Sequence, residues 1–325
     1  LEIVVQDTFG RTINYVRISV TEACNFRCIY CAPNGHGRIP APGLTPDEIA
    51  RIVRAAVALG ITNVRLTGGE PLLRRDIVEI VHAILAIDRI RDLGLTTNGF
   101  RLTELARPLA EAGLRRINIS LDTLRRDRFM RIVGVDAFDT VWRGIQTAEQ
   151  AGFAPLKINV VVLRGINDDE VVDFARLTQD HPWHIRFIEL MPVGMTDTAR
   201  AFFAQHFMAA NEIQARLPQM EPIPAPRGNG PARTCHLPNA QGTVGFIAPA
   251  SDHFCGVCNR IRVTARGEAR SCLFGEQGID LRGALHGAST DLQHLLARLV
   301  ATKPERHPPD IDFGIRARAM SEIGG

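Results

Sequence analysis

The sequence predicts an α/β protein, an incomplete (βα)6 barrel of the TIM type followed by a smaller C-terminal region. Three observations predict it. Short segments rich in β-branched or apolar residues recur six times, an amphipathic stretch follows each of them, and the alternation stops after Leu190. Strands alternating with helices imply right-handed crossovers and a parallel sheet covered on its outside by helices. Six units fall short of the eight that close a full barrel.

The first strand runs from Tyr15 to Val20. Thr45-Pro46-Asp47-Glu48 then reads as a capping box with Pro at the first helical position, followed by Ile49, Ile52, Val53, Ala56 and Val57 at helical spacing and a stop at Gly60. The remaining strands are Asn63 to Leu66, Leu93 to Thr97, Arg116 to Leu121, Leu156 to Val162 and His184 to Leu190. Helices are expected over Asp76 to Ala86, Thr103 to Ala112, Phe138 to Ala151 and Asp168 to Gln179, with Gly94, Gly113 and Gly152 as stops. From Leu217 to Gly242 the composition shifts, with prolines at 218, 222, 224, 226, 231 and 238. Two regions are therefore expected, residues 1–216 and 217–325, the second ending in a flexible Gly324-Gly325 tail.

Of 325 residues, 45% are hydrophobic and 22% charged, which excludes a disordered or collagen-like chain. The net charge of +3, from 38 basic and 35 acidic residues, is too balanced for a protein that coats nucleic acid. Lysine occurs only at Lys157 and Lys303, so the basic residues are otherwise arginines, the side chain suited to bidentate contacts with phosphate or carboxylate. An anionic small ligand is the better expectation. No basic-then-apolar leader and no run of 18 apolar residues is present, so the chain reads as cytoplasmic with no membrane partner. The start at Leu1 reads as a trimmed N-terminus.

In a reducing compartment, clustered cysteines are metal ligands or catalytic groups rather than disulfides. The seven here divide into Cys24, Cys28 and Cys31, then Cys255, Cys258 and Cys272, with Cys235 alone. The first three follow the first strand directly, at the end where α/β barrels put their chemistry. Structural zinc is the plain alternative, but it wants four protein ligands, and no further Cys or His lies in this loop before His36. Three thiolates on a cubane leave one iron free. Phe26 and Tyr30 either shield such a cluster or pack the loop.

This segment, with Tyr30 just before the last cysteine, resembles the signature of the radical S-adenosylmethionine (SAM) superfamily. The resemblance implies a 4Fe-4S cluster whose open iron chelates SAM and, once reduced, breaks its sulfonium bond to give a 5′-deoxyadenosyl radical. Thr67-Gly68-Gly69-Glu70-Pro71 after the second strand resembles the superfamily's GGE motif, which holds the methionine end of SAM. Read from the residues, paired glycines admit close approach of a ligand and Glu70 could pair with an ammonium group. Tyr30, Gly69, Ser120 and Met191 are the implied SAM contacts.

The second cysteine set, Cys255, Cys258 and Cys272, has zinc as a stronger competitor, because Cys235 or His253 could supply a fourth ligand. Arg260 and Arg262 share one face if Arg260 to Thr264 is a strand, which gives either a solvated basic edge or a triphosphate grip. With Arg65-Leu66-Thr67-Gly68-Gly69-Glu70-Pro71, Thr96-Thr97-Asn98-Gly99, Arg186-Phe187-Ile188-Glu189-Leu190-Met191, Cys258-Asn259-Arg260-Ile261-Arg262 and Gly324-Gly325, the chain resembles the MoaA family, the GTP 3′,8-cyclases of molybdenum cofactor biosynthesis.

That resemblance implies a second 4Fe-4S cluster on Cys255, Cys258 and Cys272 with an open iron for the purine of GTP. It implies GTP contacts at Arg17, Arg65, Thr96, Lys157, Arg260, Ile261 and Arg262, and a catalytic set of Cys24, Cys28, Cys31 and Arg17. The radical is expected to take hydrogen from C3′ of the ribose, after which C3′ attacks C8 of guanine. The implied partners are an unidentified electron donor, a downstream cyclic pyranopterin monophosphate synthase and a second copy in a homodimer. Rival readings are a two-cluster radical SAM peptide maturase, an electron carrier or a zinc-stabilised binding module.

Overall fold

The computed structural model describes residues 4–31, 43–192, 196–224, 230–275, 277–307 and 320. Gly324, Gly325, His36 and the loop after Cys31 lie outside the described residues. The first half alternates as expected: β1 (Tyr15–Ser19), α1 (Pro46–Ala58), β2 (Asn63–Thr67), α2 (Ile77–Leu85), β3 (Asp92–Thr97), α3 (Leu102–Glu111) and β4 (Arg116–Ser120). Next come α4 (Arg126–Val133), α5 (Phe138–Gln150), β5 (Lys157–Val162), α6 (Val171–Asp180) and β6 (His184–Glu189). Strands β1 to β6 pair in chain order, all parallel.

Each strand turns alternate residues to opposite faces, and the two faces differ in chemistry. Val16, Ile18, Val64, Leu66, Leu95, Ile117, Ile119, Ile158, Val160, Ile185 and Phe187 are buried in one core with the inner faces of the helices. Each such side chain stabilises the fold by about 1.5–3 kcal/mol. Their neighbours in sequence, Arg17, Arg65, Thr96, Asn118, Lys157, Asn159 and Arg186, occupy the other face, toward the barrel interior.

Helix α1 has the capping box read from the sequence: Thr45 Oγ1 accepts from Glu48 N at 3.2 Å and Glu48 Oε2 accepts from Thr45 N at 2.7 Å. Two local expectations are corrected. Gly94 does not stop a helix, since α2 is capped by Ala86 and Gly94 lies inside β3. Helix α4 was not anticipated; its charged sequence, Arg126-Asp127-Arg128-Phe129-Met130-Arg131, hides a short buried stripe of Phe129, Ile132 and Val133, and it ends on the left-handed Gly134.

Beyond β6 come α7 (Asp197–His206), α8 (Ala210–Ala215), β7 (Glu221–Ile223), β8 (Arg233–His236), β9 (Thr243–Ile247), β10 (Arg260–Val263), β11 (Glu268–Arg270), β12 (Gly278–Asp280), α9 (Arg282–Leu285) and α10 (Ser289–Ala301). These late strands extend the same sheet at both edges. Strand β9 joins β6 and β10 joins β1, both in parallel, so eight adjacent strands run one way. Antiparallel pairings carry the sheet on to β7 at one edge and β12 at the other. Among the described residues, no helix is long and apolar enough to cross a membrane.

Candidate active site

The two cysteine sets stand at opposite ends of one pair of parallel strands. Cys24, Cys28 and Cys31 follow the C-terminal end of β1, whereas Cys255 and Cys258 precede the N-terminal end of its partner β10 and Cys272 follows the antiparallel β11. The register matches Tyr15 with Arg260 and Arg17 with both Arg262 and Arg65. Four residue steps along β1, about 13 Å at strand rise, separate the level of Tyr15 from that of Ser19. A row of three arginines lies between.

The first loop is held from below and from its flank. Arg27 N and Ile29 N donate to the carbonyls of Val133 and Ile132 at 2.8 and 3.0 Å. Phe26 is buried edge-on to Phe100 and Phe129, so it packs the underside of the loop. The Tyr30 hydroxyl donates to Asp122 Oδ2 at 2.6 Å, and Val161 N donates to Asp122 Oδ1 at 2.8 Å. Burial pushes the Cys28 thiol well up, and the neighbouring Cys31, Asp122 and Cys24 add to it. Those three cysteines are free thiols close enough to feel one another.

Among the described residues, no three His, Cys, Asp or Glu side chains converge at the spacing of a single ion. Thiolates of a cubane each hold a separate iron, and the grouped, partly buried thiols fit that donor set. The turn after β2 packs onto the same loop. Gly69 N and Glu70 N donate to the carbonyls of Thr21 and Ala23 at 2.8 and 2.7 Å, and a Cβ on Gly69 would collide with the backbone oxygens of Glu22 and Ala23. The paired glycines thus admit the cysteine loop's backbone.

Glu70 is held by three donors. Its carboxylate accepts from Thr97 Oγ1 at 2.7 Å, Asn98 N at 2.6 Å and Leu72 N at 2.9 Å, which spends it on tying the turns after β2 and β3. Burial raises its pKa to about 7 against those three donors. Asn98 Nδ2 in turn donates to Asn25 Oδ1 at 2.8 Å, joining the third turn to the cysteine loop. Ser120 ends β4, and Met191 follows β6 in a small apolar cluster with Leu273, Phe274 and Met320. Met320 N donates to the Cys31 carbonyl at 3.4 Å, so chain from near the C-terminus meets the first loop.

At the second set, burial pushes the Cys258 thiol up, but Lys303 and Arg260 outweigh it and hold the thiol below its ordinary value. Cys272 and Cys258 both face Arg262. These thiols beside cations also fit a cluster. His253 Nδ1 is engaged with the Pro249 carbonyl at 2.8 Å. Cys235, on β8, is buried in the apolar core, where a free thiol packs as a small hydrophobe.

Between the ends, the interior is cationic. Burial lowers the Arg17 guanidinium well below its ordinary range, with Arg262 adding to it; Arg186 and Arg262 are likewise held down by burial and by neighbouring arginines. Lys157 is pushed down to about 7 by burial and by Arg186, Arg116 and Arg65. Burial raises the Tyr15 phenol, but Arg65 and Arg17 more than reverse it, and Arg65 Nε donates to its oxygen at 2.6 Å. Among the described residues, Arg65, Lys157, Arg186 and Arg260 have no carboxylate partner, and Arg65 Nη1, Arg186 Nε and Arg260 Nε are buried without an acceptor. Cations of one sign gathered in the barrel interior without carboxylates are chemically suited to an anion.

The structure thus brings together Arg17, Arg65, Thr96, Lys157, Arg260 and Arg262. The Ile261 side chain goes elsewhere: it is fully buried on the outer apolar face opposite Val16, and only its backbone can serve the interior. Sequence reasoning missed Tyr15, Asn118, Asn159 and Arg186. Period-two alternation in register with Arg17 and Arg65 is the signal that finds them.

A partial barrel with a cysteine loop at the end of β1 and a glycine turn after β2 defines a radical SAM protein. The family model described as Radical SAM superfamily matches residues 18–178, and that described as Molybdenum Cofactor Synthesis C matches residues 183–309. The GTP 3′,8-cyclase of Moorella thermoacetica is 47% identical over 333 residues, covering 99% of this chain and 100% of that protein. Those of Pelotomaculum thermopropionicum and Geobacter sulfurreducens are 45% and 46% identical, over 99% and 98% of this chain and 100% and 99% of theirs. The chain belongs to the GTP 3′,8-cyclase family. Among solved structures, Streptococcus suis SuiB bound to S-adenosylmethionine aligns with a TM-score of 0.57 at 14% identity, over 87% of this chain and 66% of that one. HydG, a maturase of the [FeFe]-hydrogenase, aligns with a TM-score of 0.51 at 16% identity, over 62% and 47%. These two likenesses show the shared fold.

Proposed function

We propose that the protein converts GTP to (8S)-3′,8-cyclo-7,8-dihydroguanosine 5′-triphosphate, the first step of molybdenum cofactor biosynthesis. The observation that carries it is the cationic interior bounded at each end by a cysteine triplet. In this reading Cys24, Cys28 and Cys31 hold one 4Fe-4S cluster and Cys255, Cys258 and Cys272 a second. Tyr30, Gly69, Ser120 and Met191 face SAM. When bound, the first cluster and SAM supply a 5′-deoxyadenosyl radical.

The chain's own residues do the positioning. Arg17, Arg65, Lys157, Arg260 and Arg262 hold the triphosphate with charge-assisted hydrogen bonds, with Arg186 in the same cavity, while Thr96 and the Ile261 backbone orient the nucleoside. Arg17, midway along β1 between the two ends and level with Arg65 and Arg262, counts as a catalytic residue in the same reading. Orientation matters because a radical that cannot reach C3′ reacts elsewhere. An electron donor, a downstream cyclic pyranopterin monophosphate synthase, a cytoplasmic setting and a homodimeric state belong to the same reading.

The product is an isomer of GTP, because the hydrogen lost from C3′ is balanced by one electron and one proton gained. The test is anaerobic incubation with SAM, a reductant and GTP, followed by chromatography and mass analysis. The expected result is a new species of unchanged mass, with deoxyadenosine formed in proportion. Deoxyadenosine formed without any consumption of GTP overturns the reading.

A further inference from the structure

Lys303, one of the chain's two lysines, is buried just after α10. Its ammonium donates to the Arg260 carbonyl at 3.0 Å and to the Ser271 carbonyl at 2.5 Å. It also lies against the Cys258 thiol. An ammonium has three N–H donors, and two carbonyls and one sulfur account for them. Arg260 stands two residues after Cys258, and Ser271 immediately precedes Cys272. Lys303 is therefore set between the two arms of chain that carry these cysteines.

What those partners leave unmet is the charge. Arg11 provides the contrast within the same region. It too is buried and donates to backbone carbonyls, those of Cys255 at 2.7 Å, Glu305 at 2.9 Å and Pro304 at 2.7 Å, but Asp7 neutralises it at 2.5 Å. Arg270, equally buried, is paired with Glu268 at 3.0 Å. Among the described residues, no carboxylate pairs with Lys303. Burying an ammonium is expensive unless an anion completes it, and among the described residues the group in contact with Lys303 that can become an anion is the Cys258 thiol.

We propose that Lys303 is a positioning residue that supplies a fixed, buried positive charge to a second iron–sulfur cluster held by Cys255, Cys258 and Cys272 and so raises that cluster's reduction potential. The inference rests on the reading of those cysteines as cluster ligands. A cubane with three thiolates is anionic and gains one more negative charge on reduction, so a nearby fixed cation favours the reduced form. Arg260 and Arg262 also face these thiols, but from the substrate cavity, where a bound triphosphate offsets them. Lys303 reaches the thiols from the chain after α10 and donates to the Arg260 and Ser271 carbonyls, so a bound triphosphate does not offset it.

The test uses the full chain carrying Cys24→Ala, Cys28→Ala and Cys31→Ala together, so that only the second cluster contributes a paramagnetic signal. It is reconstituted anaerobically and titrated with redox mediators. Lys303→Gln keeps N–H donors for the carbonyls and loses the charge; Lys303→Arg keeps the charge. The expected result is about four iron atoms per chain in the parent and both variants, a more negative midpoint potential in Lys303→Gln, and a return toward the parent value in Lys303→Arg. Full iron content with an unmoved potential in Lys303→Gln overturns the inference. Equal loss of iron from both variants also overturns it, because that marks a strut rather than a charge. A parent that binds no iron overturns the second-cluster reading itself, and the role of Lys303 with it.

Discussion

Gly94 of β3 stands opposite Arg65 of β2 in the sheet register, and a Cβ on Gly94 would lie 2.8–2.9 Å from three guanidinium atoms of Arg65. The missing side chain is what lets the guanidinium lie across β3 while its Nε holds the Tyr15 oxygen. Gly94→Ala meets only the movable end of a long side chain, so the fold is expected to survive with a melting temperature within a few degrees of wild type. Arg65 must then swing aside, and GTP affinity should fall about tenfold, or ~1.4 kcal/mol. Calorimetric titration with GTP checks it; an unchanged affinity removes Arg65 from the triphosphate set.

Arg186 tests whether the interior is built for an anion at the expense of the empty fold. Its Nε is buried without an acceptor, and burial together with Arg65 disfavours its charge. Arg186→Met removes that strain and is expected to stabilise the GTP-free protein by about 1–2 kcal/mol. The rise in melting temperature that GTP produces in the wild type should shrink in the same variant. Thermal melts with and without GTP measure both, and a variant destabilised without GTP contradicts the argument.

Much of this was legible in the chain, for identifiable reasons. The six strand segments show because their outward residues are uniformly apolar, and the cysteine loop shows because thiols at close spacing have few structural uses. Gly94 was misread because a glycine beside a helix end and a glycine making room for an arginine look alike in one dimension. The pairing of β10 with β1 joins residues more than 240 positions apart, and no local pattern announces it. It alone sets Arg262 beside Arg17 and puts the second cysteine set at the opposite end of the interior. Ile261 illustrates the limit of reading a motif as a unit: between two inward arginines, its own side chain must point outward.

Tyr30 and Asp122 form a pair whose worth depends on pH. Burial raises Asp122 to about 6, above its usual 3.8, while the Tyr30 hydroxyl and Val161 N favour the carboxylate. The folded chain therefore binds the extra proton between those values, and stability from this group is present at low pH and lost as pH rises through about 6. Tyr30→Phe removes one donor from the buried carboxylate and should cost about 1–3 kcal/mol near pH 8, and less near pH 5, where the protonated acid no longer needs it. Denaturant unfolding of the metal-free chain at the two pH values measures the difference; an equal cost at both contradicts it.

With Lys157 in the proposed triphosphate set, GTP binding is expected to be linked to a proton. In the free protein, burial and the surrounding arginines push it down to about 7, far below its unfolded value of 10.5, so near pH 8 it is mostly neutral when folded and protonated when unfolded. Stability of the GTP-free chain from this group accordingly rises as pH increases through that window. A triphosphate in the cavity favours the ammonium and drives the pKa back up, so binding near pH 8 should take up close to one proton, and binding near pH 6, where Lys157 is already charged, almost none. Calorimetric titration in buffers of different ionisation enthalpy reads this directly, and Lys157→Met subtracts the contribution of the phosphates themselves. The wild type should show a buffer dependence near pH 8 that the variant lacks, together with tighter binding; matching buffer dependence in the two would take Lys157 away from the triphosphate.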